Sequence, residues 1–553
     1  MRKNILQRVL PLTICTAIVM SGCGNAADKG ATGSSAGAEP DPDKTYDITY
    51  TGQWCYSDYE DGSFTEKMIE DALNINITVE KAETSDTIDL LLGSGEMPDC
   101  MWTESKTPNW MQEHELIRMI PKSMVEKYCP KILEYYEQNP LIYKMVQNPE
   151  NEDEFTCLAG LTFQFVDYYL PGDFYRYDWI EKLGIDLGVN VEQVSDRLYV
   201  ADDGIELSKF IEIMDAFVNQ DPDGNGKKDT LGAAAPDWGI GLIGQFFSAY
   251  GFTRDINDVD GRAEQCYAMK EYKEFLKGFQ ELYAKNLLDP EIISNDRTIA
   301  WDKVNTGVAG YWLSSTNTLN SWAVDRPPLT LLERDPNAKL LATPGIKPDG
   351  GEVQTVVNPT PAYGKFYVNA NVDDEKLAKI LEFFNYTIFG AGDREVMAKL
   401  IFGEKDIDWK WDETGEVPVK INKLNSGDKG TWSFSQFGQT EEVTRWVGEE
   451  ELFQAGGKYW SKGDNGSWLK WQHRPYKADL ANETKYEQIS QEISGDLDAY
   501  VASYRTQAIL GQVDVDDTWD DYLKELDRIG YNRMMDELEA IPSLEEMITE
   551  LQK

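Results

Sequence analysis

Histidine is nearly absent: 553 residues carry two, His114 and His473. That thins the field of general bases and metal centres, because imidazole is the commonest side chain for both. His114 lies in Gln-Glu-His-Glu, which reads as a polar helix face, and His473 in Trp-Gln-His-Arg, a candidate ligand wall. There is no H-E-x-x-H and no G-x-S-x-G, so zinc-peptidase and serine-hydrolase chemistry lack their local signatures. A glycosidase-type carboxylate pair is not located by sequence among 97 acidic residues. Cations are scarce as well: 53 Lys and Arg leave a formal charge of −44. Such a surface repels phosphate backbones and anionic headgroups, which excludes a nucleic-acid role. The seven cysteines show no C-x-x-C spacing, which argues against a disulfide scaffold or a zinc ribbon. No repeat of 20–50 residues is visible, so a solenoid is excluded. After the first 20 residues no long apolar run recurs, so the chain reads as anchored rather than spanning.

What is present begins at the N-terminus. Arg2, Lys3 and Arg8 precede an apolar run from Val9 to Met20, followed by Ser21, Gly22 and Cys23. The run is shorter than the roughly 20 residues a spanning helix needs, so it reads as a secretory signal. Its ending resembles the bacterial lipobox, with Met20 in place of the common leucine. That resemblance implies removal of residues 1–22 and acylation of Cys23 as the new N-terminus. Residues 23–46 are small, polar and rich in Gly and Ser, a flexible tether with a reach of about 25–30 Å.

Order is expected from Asp47. Alternation at 47–51, helical spacing over Phe64–Leu73, alternation at Ile75, Ile77 and Val79, and apolar Cys100-Met-Trp give a strand–helix beat. That is the pattern of an α/β lobe with a parallel sheet. A second α/β region starts near Phe174. Leu207, Phe210, Ile211, Met214, Phe217 and Val218 share one helix face, as do Tyr272, Phe275, Leu276, Phe279 and Leu282. Gly307-Val-Ala-Gly-Tyr-Trp reads as a buried strand, and the C-terminal part as helical.

The sharpest chemical motif is Asp221-Pro-Asp-Gly-Asn-Gly-Lys-Lys-Asp. Asp221, Asp223, Asn225 and Asp229 fall at positions 1, 3, 5 and 9 of an EF-hand-like loop, with Gly226 at the sharp turn and the Lys227 carbonyl at 7. Alternating oxygens on a curled loop suit Ca²⁺. Position 12 is Gly232, so the usual bidentate glutamate is missing. Gly239-Ile-Gly-Leu-Ile-Gly matches a dinucleotide fingerprint only by letters, since no strand precedes it and Pro236-Asp-Trp does. The 16 Trp and 28 Tyr are heavy for this length and suit stacking on sugar faces. Most aromatics pack in cores, so the candidates are those at strand ends: Trp54, Tyr56, Trp102, Trp238 and Trp312, beyond the carboxyl ends of strands where open α/β sheets bind ligands.

Taken together, Leu92-Gly-Ser-Gly-Glu-Met-Pro-Asp, Tyr175-Arg-Tyr-Asp-Trp-Ile-Glu-Lys-Leu-Gly, the 221–229 loop, Leu282-Tyr-Ala-Lys-Asn-Leu-Leu-Asp-Pro-Glu, Gly307-Val-Ala-Gly-Tyr and Gly403-Glu-Lys-Asp-Ile-Asp-Trp resemble the extracellular solute-binding lipoproteins of ABC sugar importers. The resemblance implies an α/β fold of the two-lobed, type II periplasmic-binding-protein class, with hinge crossings and a helical C-terminal region. It implies crossings at 174–178, 308–313 and near 363–370. The N-terminal lobe would hold 47–173 and 313–366, the C-terminal lobe 174–312 and 367–553. Arg176 would stand at the hinge and cleft edge, gripping ligand or bridging the lobes, with Asp178 capping the next helix. The implied function is non-enzymatic: a monomer tethered to the outer membrane face that closes on a carbohydrate, with a structural Ca²⁺, and delivers it to a permease. The alternative is a membrane-anchored extracellular glycoside hydrolase.

Overall fold

Tyr46, Ile48 and Tyr50 point inward from the first strand while Asp47 faces solvent, the alternation that sets a half-buried strand. The computed structural model describes residues 39–541 and Thr549, except 53–58, 83–84, 104–105, 162–170, 235–243, 254–255, 296, 316–326, 355–361 and most of 422–484. Strand β1 (Tyr46–Gly52) leads to α1 (Phe64–Leu73). The Ser63 hydroxyl caps α1 by accepting from the Glu66 amide at 3.2 Å, and Asn74 ends it with φ 52°. β2 (Ile75–Glu80), α2 (Ser85–Gly93) and β3 (Cys100–Thr103) follow. β1 pairs parallel with both β2 and β3. β4 (Leu158–Leu161) is the last strand before the chain leaves this sheet.

The next strand, β5 (Pro171–Arg176), belongs to another sheet. It continues through α3 (Tyr177–Leu183), β6 (Val191–Gln193), β7 (Leu198–Ala201), α4 (Leu207–Asn219), β8 (Leu231–Ala234), α5 (Lys270–Ala284), β9 (Ala309–Ser315) and β10 (Leu340–Thr343). This six-stranded sheet has the order β8-β9-β5-β10-β7-β6. β5 runs antiparallel to its neighbours β9 and β10, while β8 is parallel to β9 and β10 to β7. The expected helix faces form as read: Phe210, Met214 and Phe217 of α4, and Tyr272, Phe275, Leu276, Phe279 and Leu282 of α5, are buried against one face of the sheet. A smaller cluster around Phe174, Trp312 and Leu340 fills the other face.

β11 (Ala362–Val368) then returns to the first sheet. It inserts antiparallel between β3 and β4, completing the order β2-β1-β3-β11-β4. α6 (Asp374–Phe389) packs Leu377, Leu381 and Phe384 into the core of that lobe, and α7 (Arg394–Phe402) follows it. The last helices, α8 (Lys485–Ile509), α9 (Val515–Ile529) and α10 (Tyr531–Glu539), pack into the core of the second lobe. Among the described residues the chain therefore passes between lobes three times: between β4 and β5, before β11, and between α7 and α8.

These memberships correct the expected boundaries. Residues 174–176 and 309–313 are interior strand positions of the second sheet, not crossings, and 363–368 lie within the first. Residues 313–315 and 340–347 stay with the second lobe, and 367–402 with the first. The reason is backbone pairing. The stretch that reads as a buried strand from Gly307 pairs on both sides over 309–315, and those pairings, which satisfy its amides and carbonyls, leave no room for a crossing there.

Candidate functional site

The two sheets present corresponding edges to the crossings. β4 ends at Leu161, which pairs with Ala362, the first residue of β11, and Thr103 at the carboxyl end of β3 pairs with Lys365. In the second sheet, β5 begins at Pro171 beside Ser315, the last residue of β9, and Asp173 sits beside Thr343, the last residue of β10. The first crossing thus joins the carboxyl edges of the parallel strands of both sheets. Such edges are where open α/β sheets bind ligands.

Trp54, Tyr56, Trp238 and Cys23 lie outside the described residues. Trp102 and Trp312 do lie at carboxyl edges, but not as free ligand walls. Trp102 is 0% exposed; its indole passes over Gly364, whose φ of 59° goes with a register shift in β11. A side-chain carbon at Gly364 would overlap that ring. Trp312 is 1% exposed and stacks on Phe174 with centroids 5.5 Å apart at 13°. Both are core side chains, which corrects the expectation that they stand ready to meet a ligand.

Arg176 is corrected more sharply. It ends β5 beside Leu340, the first residue of β10, so it lies at the opposite edge of the sheet from Asp173. Its guanidinium is 5% exposed as a residue and is taken up twice: Nε and Nη2 donate to the Asp178 carboxylate at 2.9 and 2.7 Å, and Nη2 to Asp335 at 2.8 Å. The fork also covers the Trp179 ring at 4.8 Å. All its partners belong to the second lobe, so it neither bridges lobes nor faces the crossing edge. Asp178 does not cap α3; it sits in the first turn and accepts from Arg176 and from the Lys339 amide at 3.2 Å.

The 221–229 loop is curled as its sequence asks. Gly224 and Gly226 take φ near +77° and +79°, and Asp221 takes φ 50°. The Gly226 amide donates to Asp221 Oδ2 at 3.1 Å and the Lys227 amide to Asn225 Oδ1 at 2.7 Å. The Asn225 side-chain amide donates to Asp223 at 2.6 Å and to Asp229 at 2.9 Å, drawing both carboxylates toward its nitrogen. Asp221 Oδ1 is buried without a partner. Among the described residues no three carboxylate, histidine or cysteine side chains converge as a metal-binding group. The end of the loop is fixed by packing. The Thr230 hydroxyl is spent on the Phe217 carbonyl at 2.6 Å, tying the loop to α4. Gly232 lies in β8 against the Leu287 carbonyl, where a side chain would overlap it, so position 12 carries no ligand.

Sequence reading passed over one cluster at the edge. Asp173, Tyr175 and Tyr311 lie on one face of β5 and β9; Tyr175 and Tyr311 are paired in register with rings 4.8 Å apart. Asp173 is 2% exposed, and burial pushes its carboxyl up to about 7. The Tyr311 hydroxyl reaches the carboxyl and favours its ionised form in part, while the Tyr175 hydroxyl is buried without a partner. The available signal was an aspartate inside an otherwise apolar and aromatic strand.

Comparison with known proteins places this architecture. No family model matches the chain. The fructooligosaccharide ABC transporter substrate-binding protein FusA of Streptococcus pneumoniae is 23% identical over 250 residues, a match spanning 41% of each chain. Lipoprotein LipO of Bacillus subtilis is 24% identical over 232 residues, again 41% of each. The chain thus matches about two fifths of the length of these curated relatives. Among solved structures, the alginate-binding protein AlgQ2 without calcium ion superposes with TM-score 0.67 at 14% identity, covering 90% of this chain and 98% of that one. FusA in complex with kestose gives TM-score 0.67 at 15% identity, with the same coverage. The fold is that of the two-lobed solute-binding proteins, as the sequence resemblance implied.

Proposed function

We propose that this chain is the solute-binding component of an ABC importer, that it captures an oligosaccharide between its lobes, and that it makes or breaks no bond in doing so. The observation that carries this reading is the joining of the carboxyl edges of two sheets by interlobe passages. A ligand that touches both edges stabilises the closed arrangement over the open one, and a permease that recognises the closed form receives the cargo. The relatives support the class: FusA is named for a fructooligosaccharide, and AlgQ2 for alginate. Neither curated relative is named as an enzyme, which favours binding over hydrolysis. Cys23, acylated after removal of residues 1–22, tethers the body to the outer face of the membrane through residues 23–46. No helix among the described residues is long and apolar enough to cross a membrane.

The 221–229 loop fits a hard cation by its donors: three carboxylates, the Asn225 side-chain oxygen and the Lys227 carbonyl. Asp221 Oδ1, buried and unpartnered, is an oxygen that such an ion would satisfy. Asp221, Asp223, Asn225, Lys227 and Asp229 would hold Ca²⁺, which would supply rigidity to the link between α4 and β8 and no catalysis.

Calorimetric titration of the chain from residue 24 with neutral oligosaccharides tests the main reading. Saturable heat with the sugar recovered intact is expected. Shortened products on chromatography would replace the binder with the hydrolase.

A further inference from the structure

An acidic chain has little reason to leave a half-buried cation alone, because desolvation penalises a charge that no partner takes up. Lys106, Lys303 and Lys376 follow that rule. Each is partly exposed and holds a carboxylate: Asp89 at 3.0 Å, Asp289 at 2.7 Å and Asp99 at 2.7 Å. Lys365 breaks it. It is partly exposed on β11, and among the described residues nothing pairs with its ammonium, in a chain of 97 acidic residues against 53 Lys and Arg. Its charge does reach the Cys157 thiol, but burial pushes that thiol up to about 11 and keeps it uncharged at neutral pH, so it is no counter-charge.

The place of Lys365 is specific. It pairs with Thr103, the last residue of β3, and with Ala159 of β4, just before that strand ends at Leu161. Both flanking residues are buried, Thr103 at 0% and Ala159 at 1%, so the sheet leaves only its carboxyl edge open to the lysine, where the first interlobe passage begins. A bulge puts it there. Tyr363 stands opposite Gly160 and Lys365 opposite Ala159, so Gly364, at φ 59°, is an extra residue. In unbroken register Lys365 would stand opposite Leu158, on the face that Phe366 and Trp102 fill, since a slip of one residue turns a side chain to the other face. Bulges re-aim side chains in this way beside binding sites.

An ammonium donates hydrogen bonds and never accepts them. Its guest must bring oxygens with free lone pairs, either sugar hydroxyls or a carboxylate. The charge of the chain separates the two. A glycan with an acid on every ring is repelled by the acidic surface, and one ammonium offsets only one of its charges. We propose that Lys365 is a ligand contact of the first lobe, donating to adjacent hydroxyl oxygens of a neutral sugar in the cleft. This rests on the solute-binder reading and names a specificity-determining residue within it.

The test uses the chain from residue 24 with kestose, maltotriose and trigalacturonate as probes in calorimetry, for the wild type, Lys365→Met and Lys365→Arg. The wild type is expected to bind a neutral trimer and not trigalacturonate. Lys365→Met should lose about tenfold or more in affinity for that neutral trimer, as loss of a hydrogen bond from a charged donor predicts. Lys365→Arg should recover part of it. Without sugar, Lys365→Met should keep or raise the melting temperature, because the lysine has no partner to lose. Acetylation of the wild type with an amine-reactive ester, read by mass spectrometry, should slow at Lys365 under saturating trimer and not at the exposed Lys227 and Lys228. Wild-type affinity or a lowered melting temperature in Lys365→Met, or acetylation of Lys365 indifferent to sugar, would overturn the inference with the binder reading intact. Preference for trigalacturonate would overturn it too. A wild type that binds none of the three would overturn the binder reading itself and the inference with it.

Discussion

Asp173 holds its carboxyl in an apolar layer with Tyr175 beside it on β5, Tyr311 across on β9 and Thr343 on β10, and no charged side chain among the described residues acts on it. Its pKa, about 7 in the fold, stands above the roughly 3.9 of an unfolded chain. A raised acid contributes stability that is full below the unfolded value and is lost as pH rises through the folded one. The melting temperature of the wild type should therefore fall relative to Asp173→Asn as pH rises from about 4 toward 7 and level off above it. Scanning calorimetry of the two proteins across that range checks it; parallel curves would mean that the carboxyl finds a partner. Trp312 makes the opposite kind of contribution. It is buried against Phe174, so Trp312→Ala should cost about 3–5 kcal/mol in denaturant unfolding. The lower end is expected, because its Nε1 is buried without a partner and its loss recovers part of that cost.

At the scale of elements, the loop between α4 and β8 shows how local chemistry and strand packing compete. Its glycines permit the curl, and its carboxylates gather around the Asn225 amide. The chain must then enter β8 beside Leu287, whose carbonyl accepts from the Ala233 amide at 3.1 Å, and that approach requires glycine at 232. A bidentate glutamate at that position is incompatible with the strand. If Ca²⁺ replaces the Asn225 amide at the centre, a chelator should lower the wild-type melting temperature by several degrees, about what the loss of a saturating ligand gives. Asp223→Ala should melt at the chelated wild-type temperature with or without chelator. No response of the wild type to chelator would remove the metal from the account.

At the scale of the molecule, each lobe has its own core, and the chain visits the first lobe, the second, the first and the second again. Because the passages are few and the cores separate, relative motion of lobes is the expected soft mode. A saturating oligosaccharide should reduce the radius of gyration in solution scattering. A radius unchanged by bound sugar would mean that binding does not act through closure.

Element type was legible in the sequence because hydrophobic spacing is local: the face of α5 formed on the residues that periodicity named, and Phe210, Met214 and Phe217 of the α4 face are buried, joined by Ile213 and Ala216. The α/β class followed from the alternation of those elements. Which lobe each returning strand joins was not legible, since an apolar segment such as 309–315 or 362–368 satisfies its backbone equally well in either sheet until partners are chosen. The site suffered most from this. Arg176 and Asp173 are three residues apart on one strand, and only the register of β9 and β10 decides that the first closes an ion-pair network at one edge while the second lies buried at the edge that meets the passage between lobes.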